Sequence, residues 1–272
     1  MEYKTLPNGD RIPVLGLGTW RVGGGMSADH ANDKQEVESI RTAVELGYTH
    51  IDTAEIYGSG HAEELVRLGI KGFDRANLFI TSKVWSANLG FRATLQALEG
   101  SLRRLDTPYL DMYLIHWPNQ RIPLEETFDA LNELVQQGKV RHVGVSNFDT
   151  EQMAKAIALS QTPLATNQVH YSLLAREPEQ DGVLRSCQDN HVLLTAYRPL
   201  ERGAVLEHPV VREIAGRHGV TPAQVALKWL IDKPNVITIA KAVSESHLKD
   251  NMAALSVQFS EEDVARLDSL AQ

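Results

Sequence analysis

The sequence predicts an α/β fold, a (β/α)8 TIM barrel with an N-terminal β-hairpin and extra C-terminal helices. Three observations predict it. Eight short apolar or β-branched runs recur roughly every 25 to 45 residues, helical patterns separate them, and 272 residues suit one barrel domain spanning 1–272. Parallel strands joined by right-handed crossovers close most naturally when there are eight of them. An open, doubly wound sheet is the alternative, but its glycine fingerprint is missing. Gly16-Leu17-Gly18 runs on into Thr19, Trp20 and Arg21 without a third glycine.

Asn8-Gly9 lies between two short apolar runs and favours a tight hairpin turn with φ > 0 at both residues. Barrel strands are expected at V-L-G-L-G (14–18), T-H-I-D (49–52), L-F-I-T-S-K (78–83) and L-D-M-Y-L-I-H (110–116). Four more follow at V-R-H-V-G-V-S (140–146), A-T-N-Q-V (165–169), V-L-L-T-A-Y (192–197) and V-I-T-I-A (236–240). Between them Phe91, Leu95, Leu98, Leu102 and Leu105 fall at intervals of four and three, which is one face of a helix. Pro123 opens a helix that Gly138 closes, Thr221 and Pro222 form the cap and first turn of another, and Ser260 to Leu270 is a closing helix. No Gly/Ser-rich linker or shift in composition divides the chain.

At 43% hydrophobic and 23% charged residues the chain has enough apolar material for a large core. The 27 Lys and Arg against 35 Asp and Glu give a net charge of -8, so no basic field attracts phosphate polymers, and nucleic acid is excluded as a partner. The lone Cys187 cannot form an internal disulfide and reads as a buried thiol. Met1 to Lys4 contains no apolar leader, and no run approaches the roughly 20 apolar residues that span a bilayer. A cytoplasmic protein with no membrane contact is expected.

In such barrels the active site lies at the C-terminal ends of the strands, so a polar residue closing an apolar strand is a candidate. Asp52 ends the second strand, Lys83 the third and His116 the fourth, and Tyr57 lies in the loop after Asp52. Singly, each has a structural reading: Asp52 and Lys83 as an ion pair, His116 as a core imidazole, Tyr57 as packing. Jointly they suit one reaction. A ketone or aldehyde that accepts hydride becomes an alkoxide and needs a proton as it forms, which a phenol supplies if its ordinary pKa of about 10 is pulled down. Lys83, held by Asp52, is expected to do so, with His116 orienting or polarising the carbonyl oxygen. A metal-dependent barrel hydrolase would need clustered ligands; His50, His116 and His142 show no H-x-H or H-E-x-x-H spacing, and no metal is expected.

The segments G-Y-T-H-I-D-T-A-E-I-Y-G (47–58), T-S-K-V-W (81–85), S-L-R-R-L-D-T-P-Y-L-D-M-Y-L-I-H-W-P (101–118) and V-G-V-S-N-F (143–148) resemble the aldo-keto reductases, and the likeness runs from the hairpin to the last helix. The resemblance implies the same four catalytic residues, Asp52, Tyr57, Lys83 and His116, with Tyr57 as acid in reduction and base in reverse. It also implies NADP(H) extended across the barrel mouth, with Gly18, Thr19, Trp20 and Asp52 in the cofactor site. Ser146, Asn147 and Gln168 match residues that hydrogen-bond the nicotinamide carboxamide, and Tyr197 matches the ring that stacks on the nicotinamide. Arg198, Pro199 and Leu200 fall in the loop around the pyrophosphate, Arg198 standing where the family usually has Ser. The run I-A-K-A-V-S-E-S-H-L-K-D-N (239–251) brings Ala240, Lys241, Ala242, Val243, Ser244, His247, Asp250 and Asn251 to the adenosine 2'-phosphate and adenine. Ala242 lacks the family's hydroxyl, and His247 replaces an Arg whose bidentate fork an imidazole does not reproduce. NADPH is therefore expected to be preferred and NADH tolerated.

Trp20, Trp85 and Trp117 follow the first, third and fourth strands and, with Tyr57 and His116, are expected to wall an apolar cleft for a small carbonyl substrate. The short run after Asn251 leaves room for a closing helix but not for a long specificity loop, so an open pocket is expected. The Gly-rich loop 21–32 is expected to be mobile and to form a second wall; it lacks the Lys and Ser/Thr spacing of a phosphate loop. An enzyme working as a monomer is expected. The alternative is an NADP(H)-binding regulatory or redox-sensing subunit with little turnover, against which the four filled catalytic positions argue.

Overall fold

The computed structural model of the chain describes residues 1–271. The hairpin pairs β1 (Tyr3–Thr5) with β2 (Arg11–Pro13), antiparallel, Tyr3 opposite Pro13. Its turn differs from the expected one, because Gly9 takes a positive φ of 95° and Asn8 does not. The Leu6 carbonyl accepts the Gly9 N–H at 2.9 Å, and Asn8 Oδ1 accepts the Asp10 N–H at 3.2 Å. Pro7 fixes the first central φ of a turn in which only the closing residue needs the left-handed region.

The next strands are β3 (Leu15–Gly18), β4 (His50–Asp52), β5 (Phe79–Val84), β6 (Leu110–Ile115), β7 (Val140–Ser146), β8 (Thr166–His170), β9 (Leu193–Tyr197) and β10 (Val236–Ala240). They close in sequence order into a parallel barrel in which β10 pairs with both β3 and β9. All eight expected strands are barrel strands. β3, β4, β6 and β10 are buried at every position, as strands must be with side chains filling the lumen and helices covering the outside.

Helices α1 (Asp33–Glu45), α2 (His61–Gly69), α3 (Phe91–Leu105), α4 (Leu124–Gln136), α5 (Thr150–Leu159), α6 (Glu177–Gln180) and α7 (Val183–Asp189) wrap the first six barrel strands. α8 (Pro209–His218), α9 (Pro222–Asp232), α10 (Glu245–Ala253) and α11 (Glu261–Asp268) complete the shell. α3 buries Leu98, Leu102 and Leu105 as its spacing predicts, while Phe91 and Leu95 at its start are half-buried. α4 begins just after Pro123, and Gly138 beyond its end takes φ 70°. Thr221 and Gln224 form a reciprocal capping box on α9, and Ser260 with Asp263 does the same on α11. Cys187 is buried and burial pushes its thiol up to about 12.

The hairpin is moored to the N-terminal end of the barrel. Lys4 Nζ donates to the carbonyls of Ile231 at 2.8 Å and Lys233 at 2.6 Å, at the end of α9, and to that of Val236, the first residue of β10. A cation at a helix C-terminus opposes the negative end of the dipole. The opposite, C-terminal end is the one left to loops.

Packing inside the barrel is close enough to make one glycine essential. A Cβ on Gly144 of β7 would lie 2.6 Å from Leu114 Cδ2 and 2.9 Å from Thr166 O. Gly144→Ala is expected to cost about 1–3 kcal/mol through overpacking. The check is a lowered urea midpoint with an unchanged m value.

Candidate active site

Asp52 is the last residue of β4, and its Cα pairs in register with Thr81 of β5. Lys83 lies two residues further along β5, on the same face, so its long side chain meets the carboxylate. Lys83 Nζ donates to Asp52 Oδ1 at 2.5 Å, to the Thr53 carbonyl at 2.9 Å and to Tyr57 Oη at 3.5 Å. The three N–H donors of the ammonium thus have three acceptors, and the phenol is the most distant. Asp52 and Lys83 are 1% and 0% exposed, so two charges stand out of water with every direction of their geometry filled. The other Asp52 oxygen accepts Gln168 Nε2 at 2.8 Å, from the far side of the barrel.

Tyr57 opens a short 3-10 turn, Tyr57–Gly60, in which Gly58 and Ser59 adopt left-handed backbone. A Cβ on Gly58 would strike the Gly23 carbonyl, so that position requires glycine. Trp20 meets the Tyr57 ring edge-on at 4.9 Å, and His116, just past β6, lies across it at 5.5 Å. Trp85 meets the other side of His116 at 5.4 Å. His116 Nδ1 is buried without a hydrogen-bond partner among the described residues.

Burial and then the Lys83 charge hold the His116 imidazole down at about 3, so it is neutral. Burial works against the Lys83 ammonium, but Asp52 and Tyr57 outweigh it and hold the amine above its ordinary value. The expectation that Lys83 lowers Tyr57 is corrected: burial raises the phenol above its ordinary value, and Lys83 pulls against that rise without reversing it. In a closed aromatic cage the cost of desolvating a phenolate exceeds the help of an ammonium at 3.5 Å.

Above these residues lies a cleft of about 620 Å³. Its lining includes Asp52, Tyr57 and His116, with Trp20, Trp85 and Trp117, and Gly18, Ser146, Asn147, Gln168, Tyr197, Arg198, Pro199, Leu200, Ala240 and Lys241. Lys83 is beneath it. Ser146, Asn147 and Gln168 are brought together as expected, with many of their polar groups turned on the protein. Ser146 Oγ donates to the Gln168 carbonyl at 2.7 Å, and Asn147 Nδ2 to the His116 carbonyl at 3.1 Å. Asn147 Oδ1 accepts Tyr197 Oη at 2.9 Å. Gln168 Oε1 has no protein donor among the described residues. The Tyr197 ring is stacked on His170 at 5.6 Å with an interplanar angle of 8°. Trp117 is 44% exposed and forms the outer rim.

Other expected cofactor residues stand outside the lining. Thr19 is buried in the barrel wall, its hydroxyl donating to the Asp52 carbonyl at 3.0 Å, which ties the strand ends together. Lys241 Nζ reaches the Arg21 carbonyl at 3.1 Å across the mouth. Beyond it Ala242 is buried, Val243 and His247 are exposed, and Ser244 caps α10 by accepting the His247 N–H at 3.3 Å. Asp250 commits both oxygens to the start of α9, accepting Thr221 Oγ1 at 2.8 Å and Gln224 Nε2 at 2.7 Å, and Asn251 is buried beside it. The segment from Ala242 to Asn251 therefore forms a surface next to the cleft and not part of its lining.

The cleft also contains residues that the sequence did not point to, Ile56, Arg202, Gly203, Leu206 and Ile239, while Arg21 belongs to the loop expected as a second wall. Met26 of the Gly-rich loop lines it too, supplying the expected second wall. That loop is tied to the Tyr57 turn by Gly58 N–H donating to the Gly25 carbonyl at 2.7 Å and Ser59 Oγ to the Met26 carbonyl at 2.8 Å. Arg202 was hidden because Arg198, Glu201 and Arg202 all take positive φ, a backbone course that no glycine announces in advance. Glu55 was missed as well: its carboxylate accepts the Trp85 N–H at 2.6 Å and Asn88 Nδ2 at 3.0 Å, fixing the strand end that carries Trp85.

The model of the Aldo/keto reductase family matches residues 14–272. A methylglyoxal reductase of Escherichia coli (strain K12), YeaE, is 41% identical over 263 residues, covering 94% of this chain and 90% of that protein. A glyoxal reductase of Bacillus subtilis (strain 168) is 37% identical over 268 residues, covering 97% and 91%. Among solved structures, a thermostable aldo-keto reductase in complex with the inhibitor epalrestat superposes with a TM-score of 0.97 at 50% identity, covering 100% of both chains. An aldo-keto reductase from Klebsiella pneumoniae in complex with NADPH gives 0.90 at 41% identity, covering 99% of this chain and 95% of that one. Among the described residues no helix is long and apolar enough to cross a membrane.

The buried imidazoles carry a pH signature. His50 is held down at about 4, by burial, and His116 at about 3, against an ordinary value of 6.5 that applies in the unfolded chain. Each takes up a proton only on unfolding, so its share of stability is whole above pH 6.5 and is lost as pH falls toward those folded values. The slope of unfolding free energy against pH below neutrality should carry up to about 1.4 kcal/mol per pH unit from each. Urea titrations at pH 7 and 5 should therefore give a shallower slope for His116→Asn than for the parent; equal slopes would contradict a neutral, buried His116.

Proposed function

The chain belongs to the aldo/keto reductase family, and from that premise we propose that it reduces small aldehydes and ketones to alcohols with NADPH, reversibly, Tyr57 acting as general acid and base. The observation that carries this reading is the convergence of the Tyr57 hydroxyl, the buried Asp52–Lys83 pair and a neutral His116 at the floor of an aromatic cleft. The relatives named for methylglyoxal and glyoxal reduction support small carbonyl substrates. The solved relative named with NADPH supports the cofactor.

The residues of the cleft fit a dinucleotide. Tyr197 offers a ring face, Gln168 an open carbonyl oxygen, Arg198 and Arg202 charge for the pyrophosphate, and Lys241 a charge for the 2'-phosphate, with His247 exposed on the adjoining surface as a further donor. NADPH, when bound, supplies the hydride. The chain itself orients and protonates. Tyr57, neutral because burial raises its pKa, holds its proton ready for the developing alkoxide, and Lys83 then stabilises the phenolate that remains. His116, uncharged, orients the carbonyl oxygen by hydrogen bonding and does not compete for the proton. Trp20, Trp85 and Trp117 exclude water and accept an apolar or aromatic substituent.

Tyr57→Phe is expected to bind NADPH with little change and to lose turnover by about 100-fold or more. A panel of carbonyl compounds followed by NADPH absorbance measures the loss, and retained turnover would assign the proton to another group. NADPH should exceed NADH in kcat/KM, and His247→Arg should widen the gap by supplying a bidentate partner for the 2'-phosphate. Equal values, or a preference for NADH, would overturn the cofactor assignment.

A further inference from the structure

Outside the cleft, where the loop preceding α1 meets the first turns of α1 and α2, two imidazoles converge on one carboxylate. His61 Nε2 lies 2.8 Å from Asp33 Oδ1, and His30 Nδ1 lies 3.1 Å from Asp33 Oδ2. The two rings are 4.1 Å apart at their centroids, tilted by 58°. None of the three residues lines the cleft or takes part in the proposed reduction.

We propose that His30, Asp33 and His61 form a site for a divalent cation of the zinc class. The donor set is right for it, two imidazole nitrogens and a carboxylate oxygen, with further positions left to water. The three ligand atoms all lie within 4.8 Å of one another. Ligands of a tetrahedral zinc at about 2.1 Å are roughly 3.4 Å apart, so closure asks for about an ångström of movement. His30 can provide it, because its side chain is 68% exposed on a loop while that of His61 is 9% exposed and fixed in α2.

The surroundings hold His61 as a ligand has to be held. Its Nδ1 faces Glu64 Oε2 at 2.9 Å, one turn further along α2. Nε2 faces Asp33 Oδ1, so a cation bound there takes the place of the proton shared between them, while Glu64 fixes the ring through Nδ1 in a carboxylate–imidazole–metal arrangement. The Asp33 and Glu64 carboxylates both face the His61 ring and supply negative charge that a cation neutralises. The sequence led to an expectation of no metal because His61 lies 28 residues beyond Asp33 and the three ligands share no signature spacing.

An ion here would join the Gly-rich loop that carries Met26 into the cleft to the helix that follows the Tyr57 turn. The site is a brace between two walls of the cleft.

The test uses the full chain freed of metal with a chelator and titrated with zinc chloride in a calorimeter. One equivalent should bind, and the unfolding temperature should rise with added zinc. His30→Ala, an exposed position that does not endanger folding, should weaken binding by more than about tenfold and abolish the rise, as should His61→Gln; Glu64→Gln should weaken binding by about tenfold. His191→Asn, an exposed turn position elsewhere, should leave both unchanged. Absence of saturable binding, or binding whose strength survives His30→Ala, would overturn the proposal.

Discussion

The arrangement at the barrel mouth rests on one buried ion pair. Asp52 and Lys83 each give up water, a cost of several kcal/mol per ion that only close and complete pairing offsets. The pairing is complete because the register of β4 against β5 sets the two residues on one face, and because Thr53, Tyr57 and Gln168 occupy the remaining directions. The pair therefore constrains more than itself. It locates the phenol oxygen over the ammonium, and through Gln168 it couples adjacent strands on one side of the barrel to a strand on the opposite side.

Beside that pair Tyr57 and His116 are uncharged, and burial is the common cause. His116 is depressed and Tyr57 elevated by the same loss of solvation, one losing its proton and the other keeping it. The result is two neutral hydrogen-bond donors, the phenol and the imidazole, facing the cleft above a buried charge pair. That division suits a reaction in which negative charge appears only as the substrate oxygen is reduced.

The walls have a different origin from the floor. The floor comes from strand ends whose positions hydrogen-bonded registers dictate, and the walls come from loops distant in the chain: Arg21 and Met26, Trp85, Trp117, and the turn from Arg198 to Leu206. These loops are held by local bonds, such as those from Gly58 and Ser59 to the Gly-rich loop, or by the stacked pair of His170 and Tyr197. Function-bearing shape is thereby separated from the scaffold that carries it.

The sequence by itself determined the barrel, since period-two and apolar runs alternating with helical spacing admit few topologies, and all eight strands lie where those runs are. It also determined the floor of the site, because a residue's place at a strand end is readable from the run it closes: Asp52, Lys83 and His116 needed no coordinates to be singled out. The turn at Asn8-Gly9 was legible as a turn but not in its geometry, which Pro7 decided. Tertiary structure alone decided that desolvation outweighs Lys83 at Tyr57, that Thr19 and Asp250 are taken up by the protein's own backbone and caps, and that His30, Asp33 and His61 meet. The physical reason is the same in each case. Burial and contacts between remote segments depend on how the whole chain closes, and local pattern carries no record of that distance.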